Sequence, residues 1–293
     1  MSVHLFVQAT IVGILFGGVY ALIASGQAII FGVTRTINFA QAILVILCSY
    51  LSYTLFTDFG IDPFLSILVL VPAMFAFGYG MYVLLLSRLT RSSAELGLLV
   101  LYGLGIGIQG VLDFIYKTNI RVITPGYANN SWTVAGYQIP EVRFFAFVLA
   151  VAVLGVLQLI RQRTKLGRAL RATTQNPVAA RLMGVDTERV SAIGMGLGVA
   201  AAGAAGAVFG MILPFNGNTQ YDLLSKLLSI AVLGGLLSMP GTIVAAVILG
   251  VVESVVAATI SPDWSAFSFL VVLFVVLIVR PQGLFGRRLR GAL

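Results

Sequence analysis

The sequence predicts an all-α, polytopic integral membrane protein, and three observations carry that prediction. Only 28 of the 293 residues are charged, about 10%, against roughly 25% in ordinary soluble domains. Apolar residues make up 59% of the chain, and its mean hydropathy is +1.03. The apolar residues also fall in runs long enough to cross a bilayer, separated by short polar stretches. A water-soluble fold of this size cannot cover itself with so few charges, so a soluble enzyme is excluded. At about 20 residues per span, the length allows about 8–10 transmembrane helices and no sizeable soluble domain.

The spans follow in chain order. The first apolar run, 5–31, has no Lys or Arg before it and outlasts a signal peptide, so it is expected as a retained first span. Runs at 38–56, 63–87, 95–116, 143–160, 190–213, 223–238, 242–259 and 266–280 follow. Two are irregular. Segment 38–56 opens with polar Asn38 and Gln41, and 223–238 is short and closes near Gly234, Gly235 and Pro240. Each is either a full span or a broken, re-entrant element, which a membrane tolerates only where protein or a cavity surrounds it. All belong to a single transmembrane domain over 1–293, with polar loops at 117–142 and 161–189.

Charge orients the chain. If loop 161–189 is cytoplasmic, the segments around Arg35, around Arg88 and Arg91, and after Arg280 share its side, and together they hold fourteen of the eighteen basic residues. Lys117, Arg121, Arg143 and Lys226 stay opposite, with Asp58, Asp62, Glu141, Asp222 and Asp263. That asymmetry predicts a cytoplasmic C-terminus. Nine crossings put the N-terminus outside and one re-entrant segment puts it inside; both stay open. The net charge of +8 is thereby explained by topology, without nucleic acid.

Loop 161–189 encodes a short helix of about two turns. Asn176 is a cap and Pro177 occupies the first helical position, where its missing N–H costs nothing. Ala179, Ala180, Leu182 and Met183 supply an apolar face, and Gly184 is the stop. Asp186 or Thr187 caps the next span, with Glu188 in its first turn. Such a face is buried either on lipid headgroups or in a partner's groove. In loop 117–142, Pro125-Gly126 and Asn129-Asn130 mark turns, while Tyr127, Trp132 and Tyr137 suit an interfacial belt. That loop is either a plain interfacial loop or a closure of the outer mouth that meets an external partner.

Within the spans ionisable residues are scarce. Asp222 and Lys226, and Asp113 and Lys117, are four apart and suited to pairing. Glu253 is left without a local partner, which marks it either for the substrate path or for a bond inside the bundle. Glycines cluster at 103–110 and 194–210, a spacing that lets helix backbones approach closely in lipid. The stretch 233–250 is interrupted by Gly-Gly and Pro-Gly, as broken helices at transport paths are. One Cys (Cys48) and one His (His4) provide no disulfide, metal cage or nucleophile, and no polar catalytic cluster is present. The three lysines follow Tyr116, Thr164 and Ser225, so the chain has no Gly-Lys-Ser/Thr phosphate loop; an ATPase driving transport would be another polypeptide.

Four stretches resemble one family, the inner-membrane permeases of ABC importers for branched-chain amino acids, the LivH type. They are Ile37-Asn38-Phe39-Ala40-Gln41, Leu166-Gly167-Arg168-Ala169 through Gly184, Leu233-Gly234-Gly235 with Ser238, Pro240 and Gly241, and Arg280-Pro281-Gln282-Gly283-Leu284-Phe285-Gly286. The resemblance implies an ABC importer permease fold, a second permease of similar fold, two cytoplasmic ABC ATPases that bind the ATP, and a periplasmic solute-binding protein. No cofactor is implied in this chain. It implies a bacterial inner-membrane location and a coupling role for Asn176, Pro177, Ala179, Ala180, Leu182, Met183 and Gly184. The translocation path is implied at Asn38, Gln41, Gly234, Gly235, Pro240 and Gly241, with Glu253 added by its own position. Val178 stands where importer coupling loops carry an acid, Ala42 where the family has Gly after Gln41, and Leu237 where it has Gly after Leu236. Branched-chain or other hydrophobic amino acids are the implied substrates; urea, short amides or aromatic acids are the alternative. An ATP-independent carrier or channel is the alternative of another class, disfavoured by the few buried acids.

Overall fold

The computed structural model describes residues 3–87, 94–280 and 283–285. The loop with Arg88 and Arg91, and Pro281, Gln282 and Gly286 of the C-terminal motif, lie outside the described residues. Eleven described helices follow one another: α1 (Val3–Thr34), α2 (Gln41–Phe59), α3 (Pro63–Met81), α4 (Ala94–Tyr116), α5 (Glu141–Arg163), α6 (Lys165–Gln175), α7 (Pro177–Leu182), α8 (Thr187–Ile212), α9 (Thr219–Gly234), α10 (Met239–Thr259) and α11 (Pro262–Val279). Helix α3 runs on through a π-helical turn, Tyr82–Leu86.

Seven of these are long and apolar enough to cross a membrane: α1, α2, α3 with its π turn, α4, α5, α8 and α10. Helix α11 adds the apolar run Phe267–Val279. The two irregular segments part company. Segment 38–56 becomes the full-length α2, whereas 223–238 becomes α9, whose sixteen residues rise about 24 Å, short of a hydrocarbon core about 30 Å thick.

Helix α8 forms the spine. It is buried along nearly all its length and packs against α1, α2 and α3. In lipid there is little hydrophobic gain in joining helices, so close van der Waals approach and interhelical hydrogen bonds must hold them. Both occur here. A Cβ on Gly198 would stand 2.5 Å from the Gly26 carbonyl oxygen, and one on Gly206 would stand 2.6 Å from Cys48 Cβ. The same approach lets α2 side chains reach the spine's carbonyls: Gln41 Nε2 donates to Gly198 (3.1 Å), Ser49 Oγ to Gly206 (2.9 Å) and Ser52 Oγ to Ala207 (3.0 Å). Helices α1 and α10 meet in the same way, with Gly13 2.6 Å and Gly17 2.8 Å from α10 Cα atoms measured from where a Cβ would be.

The loops sort onto two opposite faces. On one, Arg121 and Phe215 exchange backbone hydrogen bonds of 2.9 Å and Ile123 N–H reaches the Gly210 carbonyl. There the loop before α5 also folds into an antiparallel hairpin, β1 (Ser131–Val134) and β2 (Tyr137–Pro140), absent from the sequence expectation. Its two-residue turn, Ala135-Gly136, has φ of 52° and 86°, both positive as the twist-matching hairpin turn requires. The start of α1 lies on this face, with His4 bonded to the Gly136 carbonyl (3.0 Å) and stacked on Tyr137. On the other face Arg35 donates to the Thr174 carbonyl, and Leu284 N–H to the Leu233 carbonyl (2.7 Å). The start of α1 and the final described segment therefore sit on opposite faces.

Candidate functional site

The segment between α5 and α8 is more structured than the sequence suggested. Thr164 caps α6 by accepting from Gly167 N–H (2.9 Å), and α6 is amphipathic, with Gly167, Leu170 and Thr173 buried. The signal for this missed helix was present: a Thr cap followed by Leu166, Leu170 and Thr173 at helical spacing. Helix α7 then starts as expected. Asn176 Oδ1 accepts from both Val178 and Ala179 N–H, at 3.0 and 3.1 Å. Gly184, at φ +80°, ends the turn, and Val185 N–H returns to the Ala180 carbonyl (3.0 Å). That left-handed position disfavours any residue with a Cβ.

The faces of α7 are unequal. Ala180 turns inward and is buried, while Leu182 and Met183 are each 84% exposed and Val178 66%. Val178, on the sequence only a departure from the family acid, thus extends the bare apolar surface. Ala179 and Pro177 are exposed as well. The segment is nevertheless anchored: Arg181 Nε donates to Thr187 Oγ1 (2.6 Å), and Asp186 caps α8 at Arg189 N–H (3.0 Å). A short rigid helix therefore stands outside the bundle, fixed directly to the spine.

The residues assigned to a path fall into three places. Asn38 and Gln41 are 0% exposed at the joint between α1 and α2. Asn38 Nδ2 donates to Gln41 Oε1 (3.1 Å), Asn38 Oδ1 accepts from Ala40 N–H, and Gln41 reaches the spine at Gly198. In this state both amides are turned to protein partners.

Gly234, Gly235, Pro240 and Gly241 form the turn between α9 and α10. Gly235 (φ 86°, ψ 114°) occupies a conformation open to glycine alone among ordinary residues. Ser238 Oγ caps α10 at Gly241 N–H (3.2 Å), with Pro240 in the first turn. Gly234 lies so close to α10 that a Cβ would stand 2.6 Å from Thr242 Cα. The C-terminal stretch folds onto this turn, with Leu284 bonded to Leu233 and Phe285 against Gly241. Two motifs nearly fifty residues apart in sequence make one structure, on the same face as α7.

Glu253 has no local partner but is bound inside the bundle, the second of its two expected settings. Lys226 Nζ lies 2.8 Å from both Glu253 Oε1 and Asp222 Oδ2, donates to Tyr20 Oη (3.2 Å), and sits over the Tyr20 and Phe269 rings. Lys226 is 5% exposed, so four helices converge on one buried cation. The Lys226–Asp222 pairing follows the four-residue spacing; the Glu253 link crosses 27 residues and has no local signal. The Asp113–Lys117 pair does not form among the described ion pairs, because α4 ends at Tyr116 and Lys117 turns to φ 55°. Asp113 instead faces Gly217.

On the hairpin face, Tyr127 donates to Asp62 Oδ2 (2.7 Å), and Asp62 also caps α3. Burial first, and that carboxylate second, push the Tyr127 hydroxyl well above its ordinary pKa, so it remains a donor. Among the described residues no cluster of three His, Cys, Asp or Glu side chains could hold a metal ion.

Comparison with known proteins agrees with this architecture. Residues 10–278 match the family described as the permease component of branched-chain amino acid transport systems. The chain is 27% identical to the high-affinity branched-chain amino acid transport system permease protein LivH of Salmonella typhimurium, covering 96% of each. It is 26% identical to the corresponding permease protein BraD of Pseudomonas aeruginosa, over 98% of this chain and 97% of that one. Similarity also extends to the permease protein LivM of Escherichia coli, 31% identical over 42% of this chain and 29% of LivM.

Proposed function

The chain belongs to the branched-chain amino acid transport permease family, and from that membership we propose that it is the membrane-spanning subunit of an ATP-driven importer for branched-chain or other hydrophobic amino acids. It works in the bacterial inner membrane with loop 161–189 and the C-terminus in the cytoplasm, the orientation favoured by the basic residues on that face. A second permease of similar fold completes the path, two ABC ATPases bind the ATP, and a periplasmic binding protein delivers the amino acid to the hairpin face. The similarity to LivM supports a related second permease.

The observation that carries the reading is α7, a capped helix with Val178, Leu182 and Met183 bare to solvent and its end tied to the spine through Arg181 and Thr187. Its apolar face fits a groove on an ATPase. When the ATPases close and open they move α7, and the movement passes to α8, whose packed contacts with α1, α2 and α3 leave little slack. Asn38 and Gln41 then act as the joint that holds the Gly198 carbonyl and opens toward the path when α8 shifts. Glu253 is exposed to the path when Lys226 releases it, and the Gly234–Gly241 turn is the hinge between α9 and α10.

Gentle purification of the tagged chain from its own membranes, with mass spectrometry of its companions, tests the assembly. Two ATPases and a second permease are expected. A chain that purifies alone and moves solute in liposomes without ATP would be a carrier or channel. Gly184→Val should weaken ATPase retention, since valine disfavours φ +80° and misdirects α7; undiminished retention would remove α7 from the coupling role.

A further inference from the structure

Lys226 is one cation shared by two carboxylates of unlike standing. Its Nζ lies 2.8 Å from Asp222 Oδ2 and 2.8 Å from Glu253 Oε1. Asp222 sits four residues earlier on α9, the helix that carries Lys226, whereas Glu253 belongs to α10. The Asp222 side chain is 49% exposed and that of Glu253 12%. The trio carries one net negative charge. In this arrangement that charge rests on Asp222, the exposed member, while Lys226 and Glu253 form a buried neutral pair.

The asymmetry matters when α9 moves. A pair four residues apart on one helix keeps its spacing when the helix moves as a body, because both side chains ride on the same backbone. The Lys226–Glu253 pair crosses two helices, and a displacement of about 2 Å takes the nitrogen beyond the reach of a charge-assisted hydrogen bond. The joint between those helices contains Gly235, the residue type with the widest backbone freedom. Lys226 is buried, and stripped of every counter-ion it would be a bare cation inside the bundle, a strongly unfavourable state. Asp222 travels with it and prevents that. The carboxylate left behind also has a partner within reach. Glu253 Oε2 is buried with no hydrogen-bond partner among the described residues. Tyr20 Oη accepts from Lys226 and lies beside Glu253, so once Lys226 has left, its hydroxyl is free to donate to that carboxylate.

We propose that Asp222 is a positioning residue, a travelling counter-ion that lets Lys226 leave Glu253 without losing its charge partner. In the exchange the net negative charge of the trio passes from Asp222 to Glu253, and no ion has to cross the bundle. This role rests on the reading above, in which Lys226 releases Glu253 toward the path. The opposing picture is a fixed brace, in which the two acids do the same work.

The two pictures separate in the full chain, held in nanodiscs of its own lipids. With Cys48→Ala, and spin labels on Ser225→Cys in α9 and Ala258→Cys in α10, double electron–electron resonance reads the separation of the helices. Two separations are expected, the shorter one matching the paired arrangement. Asp222→Asn should deplete the longer separation about tenfold or more, because there the buried cation would have lost its last counter-ion. Glu253→Gln should enrich it. Asp222→Glu, which keeps a travelling acid, should behave as the unsubstituted chain. Equal loosening of α9 by Asp222→Asn and Glu253→Gln, or a single separation in every variant, would overturn the assignment. Should Asp222→Asn fail to fold, a Glu253→Gln chain whose longer separation is not enriched would overturn it alone. These distances are read in the chain by itself, so a companion search that returned no ATPase would remove the importer and leave the exchange standing.

Discussion

Helices α4 and α8 carry nearly the same sequence signal and meet different fates. Both are apolar, and both hold glycines at small-residue spacing, 103–110 in one and 194–210 in the other. In α8 the glycines at 194, 196, 198, 203, 206 and 210 all lie against neighbouring atoms closer than a Cβ would tolerate comfortably. In α4, Gly103, Gly107 and Gly110 have nothing within 4 Å of where a Cβ would be, and Gly105 makes only ordinary contact. Helix α4 is held instead by polar pins: Gln109 Nε2 donates to Asn218 Oδ1 (2.9 Å), Tyr221 Oη and Gln220 donate to Gln109 Oε1, and Tyr116 bonds Thr54 (2.6 Å). A glycine run is thus a permission for close approach, and the rest of the chain decides whether the approach happens.

The largest effect bearing on this contrast is expected at neither helix but at α9, a sixteen-residue helix held by charge. Lys226→Met would leave Glu253 and Asp222 facing each other without their cation, at a cost of about 3–5 kcal/mol. Thermal melting in detergent should show a loss that Glu253→Gln partly restores in the double variant. An unchanged melting temperature would mean that α9 is fastened by packing alone. Next comes Gly206→Ala in the spine, where the new methyl meets Cys48 and the α2 backbone. Overpacking of this kind costs about 1–3 kcal/mol, read by the same melting experiment.

Smaller effects fall on α4. Gln109→Leu strands Gln220, which is buried, and should cost about 1–2 kcal/mol; a value near zero would show that the pins are dispensable. The smallest change is expected to reverse sign. Gly107→Ala adds a methyl to open space and removes a flexible residue from a helix, so the isolated chain should gain up to about 1 kcal/mol. Equal destabilisation by Gly107→Ala and Gly206→Ala would erase the contrast between the two helices.

Much of the α7 segment was legible because its determinants are local. Asn176 reaches two and three residues ahead, Gly184 closes its own turn, and Asp186 caps three residues on. A sequence window contains both partners of each bond. The hairpin was harder to see, since Ala135 takes a positive φ that its side chain does not advertise. The Lys226–Glu253 pair and the meeting of Leu284 with Leu233 could not be read at all, because their partners are 27 and 51 residues apart.

By itself, the sequence determined the membrane class, the position of most spans, the caps of α7 and α8, and the asymmetry of basic charge. These follow from transfer free energies and short-range hydrogen bonds, which depend on composition and on neighbours a few residues away. Only the tertiary structure decided which glycine face is packed, what Glu253 is bound to, where Asn38 and Gln41 point, and which ends share a face. Those outcomes depend on how helices far apart in the chain are brought side by side, and in lipid nearly every apolar face is admissible until a particular neighbour occupies it.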